Sequence, residues 1–132
     1  TIEWYLRRLK DLHPNIHFDV QVTVAEQDVP EGLKIVLYRV LQEALNNAVK
    51  HSKADIVRVS LSRRQDQVEL HVEDNGIGFD PTPFDRGTIG MQGYGLHSMQ
   101  ERVEICGGEF WLTTKPGQGT LVHAALPLNH AC

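Results

Sequence analysis

Two segments of this 132-residue chain carry side chains that could do chemistry: QEALNNAVKHS at residues 42–52 and VEDNGIGFD at residues 72–80. At about 100° per residue, the carboxylate of Glu43, the amide of Asn47 and the amine of Lys50 fall within roughly a 60° arc of a helix. These three polar residues border the apolar stripe of that helix. An ordinary amphipathic helix also carries such spacings, so the first segment alone leaves both interpretations open.

The second segment ends an alternating strand in a carboxylate. Leu70 and Val72 alternate with polar residues, and the chain then breaks after Asp74 at a glycine-containing turn. A plain hairpin would explain Gly76 but not Gly78. Two closely spaced glycines would let the backbone approach a ligand and take positive φ. Together the two segments predict a nucleotide pocket.

A long irregular stretch follows, from residue 81 to residue 93, with two prolines, several glycines and no hydrophobic period. Its length is typical of a functional loop, and we interpret it as a hinged, mobile lid over the pocket. Gly93 and Gly95 then open a helix, where unpaired backbone N–H groups favour phosphate. A helix with a flexible lead-in is the simpler alternative.

Hydrophobic periodicity predicts the elements that must position these groups. It indicates helices at about 1–13, 31–52 and 94–106, a strand at 16–25, and hairpins at 55–62 with 67–74 and at 109–114 with 119–126. The expected fold is a two-layer α/β sandwich of the α+β class, with a mixed, mostly antiparallel sheet covered on one face by helices. Thr120 belongs to the inward row of its strand, as a core hydroxyl or as a pocket group.

Composition limits the function classes. The chain is expected to be one domain, residues 1–132, with 41% hydrophobic and 23% charged residues. A formal net charge of −4 argues against nucleic acid as a main partner. No apolar run could span a bilayer and no signal-peptide pattern is present, so we expect a cytoplasmic domain without direct membrane contact, any membrane anchor belonging to other parts of a longer protein.

Four motifs occur in order and carry a family resemblance: EALNNAVKH, DNGIGFD, GYGLHSM and GGEFWLTTKPGQGTLVHAALP. They resemble the N, G1 and G2 boxes and the closing pattern of the ATP-binding catalytic domain of bacterial sensor histidine kinases. That family lies in the superfamily of gyrase, heat-shock chaperones and mismatch-repair ATPases. LYRVLQEALNNAVKHS and LHSMQERVE further resemble the subfamily that pairs with LuxR-type response regulators.

The resemblance implies ATP and Mg²⁺ as ligands and assigns roles by position. Asn47 matches the amide that ligates Mg²⁺, and Lys50 a residue that approaches the phosphates. Asp74 matches the carboxylate that accepts a hydrogen bond from the adenine amino group, and Thr120 a hydroxyl near the same base. The remaining nucleotide-binding positions implied are His51, Gly76, Gly78, Gly93, Gly95 and Leu96.

Glu43 stands where many histidine kinases have Asn, and in related ATPases a Glu there acts on an attacking water. It could therefore be a catalytic base, toward an acceptor imidazole or toward water, or a purely structural group. None of the seven histidines has the setting of the family's phosphoacceptor, so the resemblance implies an acceptor on separate dimerisation helices of the same homodimeric kinase, followed by transfer to a response regulator. The alternatives are an anti-sigma-type serine kinase and a nonenzymatic ATP-switched module.

Overall fold

The computed structural model of the chain describes residues 2–51, 53–78 and 94–129, with the backbone alone at residues 51 and 94. Within these residues, three α-helices and five strands form the fold. The helices are α1 (Ile2–Leu12), α2 (Glu31–Asn46) and α3 (Tyr94–Ile105). The strands are β1 (His17–Val22), β2 (Ile56–Arg64), β3 (Gln67–Asp74), β4 (Glu109–Thr114) and β5 (Thr120–Pro127).

The strands form one sheet in the order β1-β2-β3-β5-β4. β1 pairs with β2 in parallel, and the other three pairs are antiparallel. The register sets Val57 opposite Asp74 and Asp74 opposite Thr120, so these residues lie side by side at one end of three neighbouring strands. The expected mixed, mostly antiparallel sheet is confirmed.

Helices α2 and α3 pack on one face of this sheet and against each other. Alternate residues of the strands point to that face, so every second residue of β3 is buried. α2 presents an apolar row at helical spacing, and its leucines are fully buried. The largest fully buried side chains among the described residues are Leu33, Leu37, Leu41, Leu45, Leu70, Leu96 and Leu126.

Two predicted elements end earlier than their sequence pattern suggests. The helix expected to run to residue 52 is α-helical only to Asn46 and continues as a π-helix from Asn47 to His51. The N–H of Asn47 is shared between the carbonyls of Glu43 and Ala44, as is common at the end of an α-helix. The strand expected at 16–25 is shorter, and a 3₁₀ turn at Glu26–Asp28 precedes α2.

Opposite the helices, the sheet carries a stack of three aromatic rings. His123 lies between His71 at 3.9 Å and Trp111 at 4.5 Å between ring centroids, because the three residues are register partners on adjacent strands. Burial, and next the neighbouring His71, lower the pKa of His123 below its ordinary value, while the charges of Glu69 and Glu109 oppose this effect.

The predicted lid, at residues 81–93, lies outside the described residues. No helix in the described part of the chain is long and apolar enough to cross a membrane.

Candidate functional site

Asn47 is a buried polar residue at the point where α2 changes its helical period. It is 4% exposed, and its side-chain oxygen Oδ1 has no hydrogen-bond partner among the described residues. An unpaired amide oxygen in a protein interior costs on the order of 1 to 3 kcal/mol, so a structure that keeps one benefits from a ligand that satisfies it. Helical π-segments of this kind are frequent at functional sites.

Asp74 ends β3 on the helix-covered side of the sheet. Its carboxylate is buried, at 6% exposure, and its Oδ1 accepts a hydrogen bond from the N–H of Gly76 at 2.8 Å. This is the local pattern by which an Asp side chain folds its own backbone into a turn. The carboxylate orientation is therefore set within the loop that follows the strand.

Two buried threonines continue the polar row that starts at Asp74. Thr120 is opposite Asp74 on β5, and Thr114 is opposite Thr120 on β4. The two hydroxyl oxygens are 2.9 Å apart, and the hydroxyl of Thr114 donates to the carbonyl of Gly119 at 3.2 Å. When Thr114 uses its proton in this way, Thr120 must donate its own proton to Thr114, and the two lone pairs of Thr120 can accept hydrogen bonds from a ligand or a water.

Two glycines pack the loop after Asp74 against the turn between β4 and β5. Gly78 has φ +63°, and a side chain there would collide with the carbonyl of Lys115. Gly119 has φ +77°, and a side chain there would collide with the carbonyl of Asp74. The N–H of Gly117 also donates to the carbonyl of Ile77. The expectation of positive φ is confirmed for Gly78 but wrong for Gly76, which turns at negative φ and contributes its N–H instead.

Glu43 and Gly95 lie in direct contact across the two helices. The backbone of Gly95 is so close to the Glu43 carboxylate that an added methyl group would overlap it. The carboxylate thus lies at the first turn of α3, where the helix dipole favours negative charge. No ion pair joins Glu43 to another described residue, including Arg39 and Lys50. Leu96, the next residue, is fully buried in the core below this turn.

The N-terminal helix reaches the same region through two tyrosines. The rings of Tyr5 on α1 and Tyr38 on α2 are 5.5 Å apart. Burial raises the pKa of the Tyr5 phenol, and the charges of Tyr38 and Glu43 raise it further. α1 therefore borders the helix that carries the candidate catalytic carboxylate.

The other predicted positions are not all brought into this site. Lys50 is exposed at the end of the π-segment, without an ion pair to any described residue. The side chain of His51 and all of Gly93 lie outside the described residues. A cavity of about 600 Å³ lies between α1, α2 and β1, and none of the predicted site residues lines it.

Sequence reasoning missed Thr114 and Asn75. Thr114 could have been found, because the predicted hairpin with its turn at residues 116–119 already places it opposite Thr120. The oxygen of the Asn75 side chain accepts the backbone N–H groups of Asp55, just before β2, and of Ile56, its first residue. The Asn-Gly pair indicated a turn from the sequence, and no local pattern shows a bond to residues about twenty positions away.

The donor set fits a magnesium ion. Mg²⁺ prefers oxygen ligands, keeps several waters and typically uses few protein groups together with substrate phosphates. The buried, unpaired Oδ1 of Asn47 is one such oxygen. The described residues contain no cluster of three or more His, Cys, Asp or Glu that would hold a transition metal.

A five-stranded sheet with helices on one face and buried polar groups at one strand end is the fold of the catalytic domains of histidine kinases. The chain superposes on a mycobacterial sensor histidine kinase, MprB, with a TM-score of 0.69 and 25% identity, covering 98% of this chain and 93% of that one. A blue-light activated histidine kinase from Erythrobacter litoralis gives a TM-score of 0.71 at 26% identity, covering 94% of this chain and 41% of that one.

Residues 32–130 match the family described as histidine kinase-, DNA gyrase B- and HSP90-like ATPase, and the chain belongs to this family. The signal transduction histidine-protein kinase/phosphatase DegS of Brevibacillus brevis is 33% identical over 98% of this chain and 32% of its own length. The oxygen sensor histidine kinase NreB of Staphylococcus carnosus is 34% identical over 86% of this chain and 32% of its own length. The chain thus spans about a third of the length of these curated relatives. Membership of the family implies that the chain binds ATP.

Proposed function

We propose that this chain is the ATP-binding catalytic domain of a two-component sensor kinase, and that it transfers the γ-phosphoryl group of ATP to a histidine on a separate dimerisation domain. The observation that carries the proposal is the buried Oδ1 of Asn47, unpaired among the described residues, on the helix that also presents Glu43. The named relatives are histidine kinases, which favours histidine over serine as the acceptor.

The proposed adenine site lies at the ends of β3 and β5. The carboxylate of Asp74 accepts a hydrogen bond from the adenine amino group, and Thr120 contacts the base directly or through water. Gly76 and Gly78 supply backbone against which the purine lies. Guanine carries a carbonyl where adenine has its amino group, so Asp74 would select ATP over GTP.

The proposed phosphate site lies between the end of α2 and the start of α3. Asn47 holds Mg²⁺, which when bound neutralises charge on the phosphate oxygens. The N–H groups in the first turn of α3, at Gly95, bind the phosphates, as the N-terminus of a helix favours, and the family resemblance assigns Gly93 to the same phosphate site. Lys50 is exposed and long enough to reach toward them. With a net charge of −4, the domain depends on such local donors for the triphosphate.

In the proposed reaction, a nitrogen of the acceptor imidazole forms a bond to the γ-phosphorus as the bond from that phosphorus to the β,γ-bridging oxygen breaks. ADP leaves, and the imidazolium proton is lost. Glu43 lies at the first turn of α3, near the proposed phosphate site, and is the candidate base for this proton. Water could accept this proton instead of Glu43. The two cases are distinguished by the effect of a Glu43 substitution on the rate of phosphoryl transfer.

The proposed partners follow from the family resemblance, and the relatives, which are sensor kinases, support them. These partners are the dimerisation and phosphoacceptor helices of the same full-length homodimeric kinase, and then a response regulator of the LuxR type. Residues 1–132 would act as one domain of that protein. Because it uses ATP, we place the domain in the cytoplasm, and we assign it no nucleic acid partner and no direct membrane contact.

The test supplies the chain with ATP labelled at the γ-phosphate and with a dimerisation helix pair that carries the acceptor histidine. A matched pair with His→Gln at the acceptor is the control, and a serine acceptor protein is the competitor. We expect acid-labile, base-stable label on the histidine pair alone. Acid-stable label on serine would replace the proposal with a serine kinase, and ATP binding without label on any acceptor would replace it with a nonenzymatic switch.

A further inference from the structure

Asn75 bonds to a strand from which it is about twenty residues distant in sequence. Its Oδ1 accepts hydrogen bonds from the backbone N–H of Asp55 at 2.9 Å and of Ile56 at 3.0 Å. Its own backbone N–H donates to the carbonyl of Ile56 at 3.2 Å. Both partners of the side chain are N–H donors, so the atom between them must be the amide oxygen and not the amide nitrogen.

These bonds fall where β3 leaves the sheet. Continuing the register beyond Val57 and Asp74 sets Asn75 opposite Ile56. In a regular antiparallel ladder, the backbone carbonyl of the opposite residue would accept the Ile56 N–H. The Asn75 side chain supplies that acceptor, and the backbone is free to turn so that Gly76 N–H reaches the Asp74 carboxylate at 2.8 Å.

We propose that Asn75 is a positioning residue of the adenine site, which acts by fixing the loop that orients the Asp74 carboxylate. The inference rests on the proposed function, in which Asp74 binds the adenine amino group. Asn75 itself is exposed and does not need to touch the nucleotide. It ties the loop to the start of β2, on the side of the sheet away from β5.

On the opposite side of the loop, the contacts among the described residues are made by backbone atoms. Gly119 abuts the carbonyl of Asp74, Gly78 abuts the carbonyl of Lys115, and Gly117 N–H donates to the carbonyl of Ile77. Asn75 is therefore the side chain that completes the support, and it does so through hydrogen bonds and not through apolar packing. Replacing it removes those bonds and little buried surface.

The test compares Asn75→Ala, which removes the acceptor, with Asn75→Asp, which keeps an oxygen in the same place. Calorimetry measures the affinities for ATP and GTP well below each variant's own unfolding midpoint. We expect Asn75→Ala to bind ATP about tenfold more weakly and to lose a similar factor in its preference for ATP over GTP. The affinity of Asn75→Asp for ATP should stay within about threefold of that of the original chain. Hydrogen exchange at the amides of Asp55, Ile56 and Gly76 should accelerate in Asn75→Ala only.

A double-mutant cycle distinguishes positioning from a general loss of stability. In the Asp74→Asn background, Asn75→Ala should have little further effect on ATP affinity, because the carboxylate that it positions is absent. A residue that only stabilises the fold would lower the melting temperature and leave the ATP-to-GTP preference unchanged. Asn75→Ser, whose hydroxyl is too short to reach both amides, replaces Asn75→Ala in these measurements should the alanine variant not fold.

Three results bear on the inference separately from the proposed function. Unchanged ATP affinity and preference in a folded Asn75→Ala or Asn75→Ser variant would overturn the positioning role alone. Equal losses in Asn75→Asp and Asn75→Ala would overturn it as well, because the acceptor oxygen would then be irrelevant. Failure of the original chain to bind ATP would instead overturn the proposed function.

Discussion

The carboxylate of Glu43 on α2 lies against the backbone of Gly95 in the first turn of α3, where even a methyl group would overlap it. The contact joins a helix that carries the candidate base and metal ligand to a helix whose N-terminus is the candidate phosphate site. Gly95 leaves room for the Glu43 carboxylate in this position, and its backbone angle does not require glycine, since it is helical and has no positive φ.

Gly95→Ala should destabilise the chain by at most about 1 kcal/mol, because the added methyl group has only to move the flexible carboxylate end of the Glu43 side chain. The same substitution in a Glu43→Ala background should be neutral or stabilising, since the space is empty and alanine favours a helix over glycine by roughly 0.5 to 1 kcal/mol. Urea unfolding of the four proteins measures both effects. A loss of equal size in the two backgrounds would show that the two residues do not touch.

Glu43→Gln should leave ATP affinity within a few fold and slow phosphoryl transfer by about 10²- to 10⁴-fold, if the carboxylate acts as a base. Single-turnover transfer to a supplied acceptor at saturating ATP measures the rate. Glu31→Gln, which removes an exposed charge at the other end of α2, is the matched control and should change neither quantity. An unchanged transfer rate in Glu43→Gln would leave Glu43 with the structural role only.

Asp74→Asn should weaken ATP binding by about ten- to a hundredfold and nearly abolish discrimination against GTP. The amide keeps an oxygen for the N–H of Gly76, so the loop should survive, whereas a charge-assisted hydrogen bond to adenine is worth on the order of 1.5 to 3 kcal/mol. Glu73→Gln removes the same charge one residue earlier on the exposed face and should bind normally. Wild-type affinity in a folded Asp74→Asn variant would remove Asp74 from the adenine site.

The sequence predicts the sheet and helices well because each carries its own period. The leucines of α2 recur at helical spacing and all reach the core, and β3 alternates strictly from Val68 to Asp74. Where the pattern fails, the cause is not local. The helical period of residues 47–51 is continuous in the sequence, yet the structure widens it into a π-segment that leaves Asn47 buried and Lys50 exposed.

In the candidate site too, some features follow from the local sequence pattern and others depend on non-local packing. Asp74 and Thr120 are predictable from strand alternation, and their adjacency follows once β3 is known to pair with β5. That pairing is a non-local choice, since a simpler meander would have placed β4 beside β3. The contact of Glu43 with Gly95 and the bonds of Asn75 to β2 depend on how separate elements pack, which no window of sequence encodes.

His123 should make the stability of the chain depend on pH. Its pKa in the folded state lies below the ordinary value of 6.5, so the unfolded chain binds more protons there and stability falls as pH decreases through about 6.5. His123→Phe keeps a ring between His71 and Trp111 but does not titrate. Urea unfolding at about pH 7.5 and pH 5.5 should therefore show a smaller loss in this variant than in the original chain. An equal or larger loss in the variant would assign the pH dependence to other groups.

Asn47→Ala should abolish the Mg²⁺-dependent part of ATP binding without lowering the free energy of unfolding of the nucleotide-free chain. The buried Oδ1 lacks a partner among the described residues, so removing it relieves an unmet hydrogen bond, and alanine is the better helix former. Asn46→Ala is the matched control, because it removes the same amide from the neighbouring, less buried position and should keep the metal response. Titration of Mg²⁺ against a fixed ATP analogue, with thermal unfolding in its presence and absence, measures both quantities. A normal metal response in Asn47→Ala would exclude Asn47 as the ligand, and a large loss of stability without nucleotide would mean that its amide supports the fold instead.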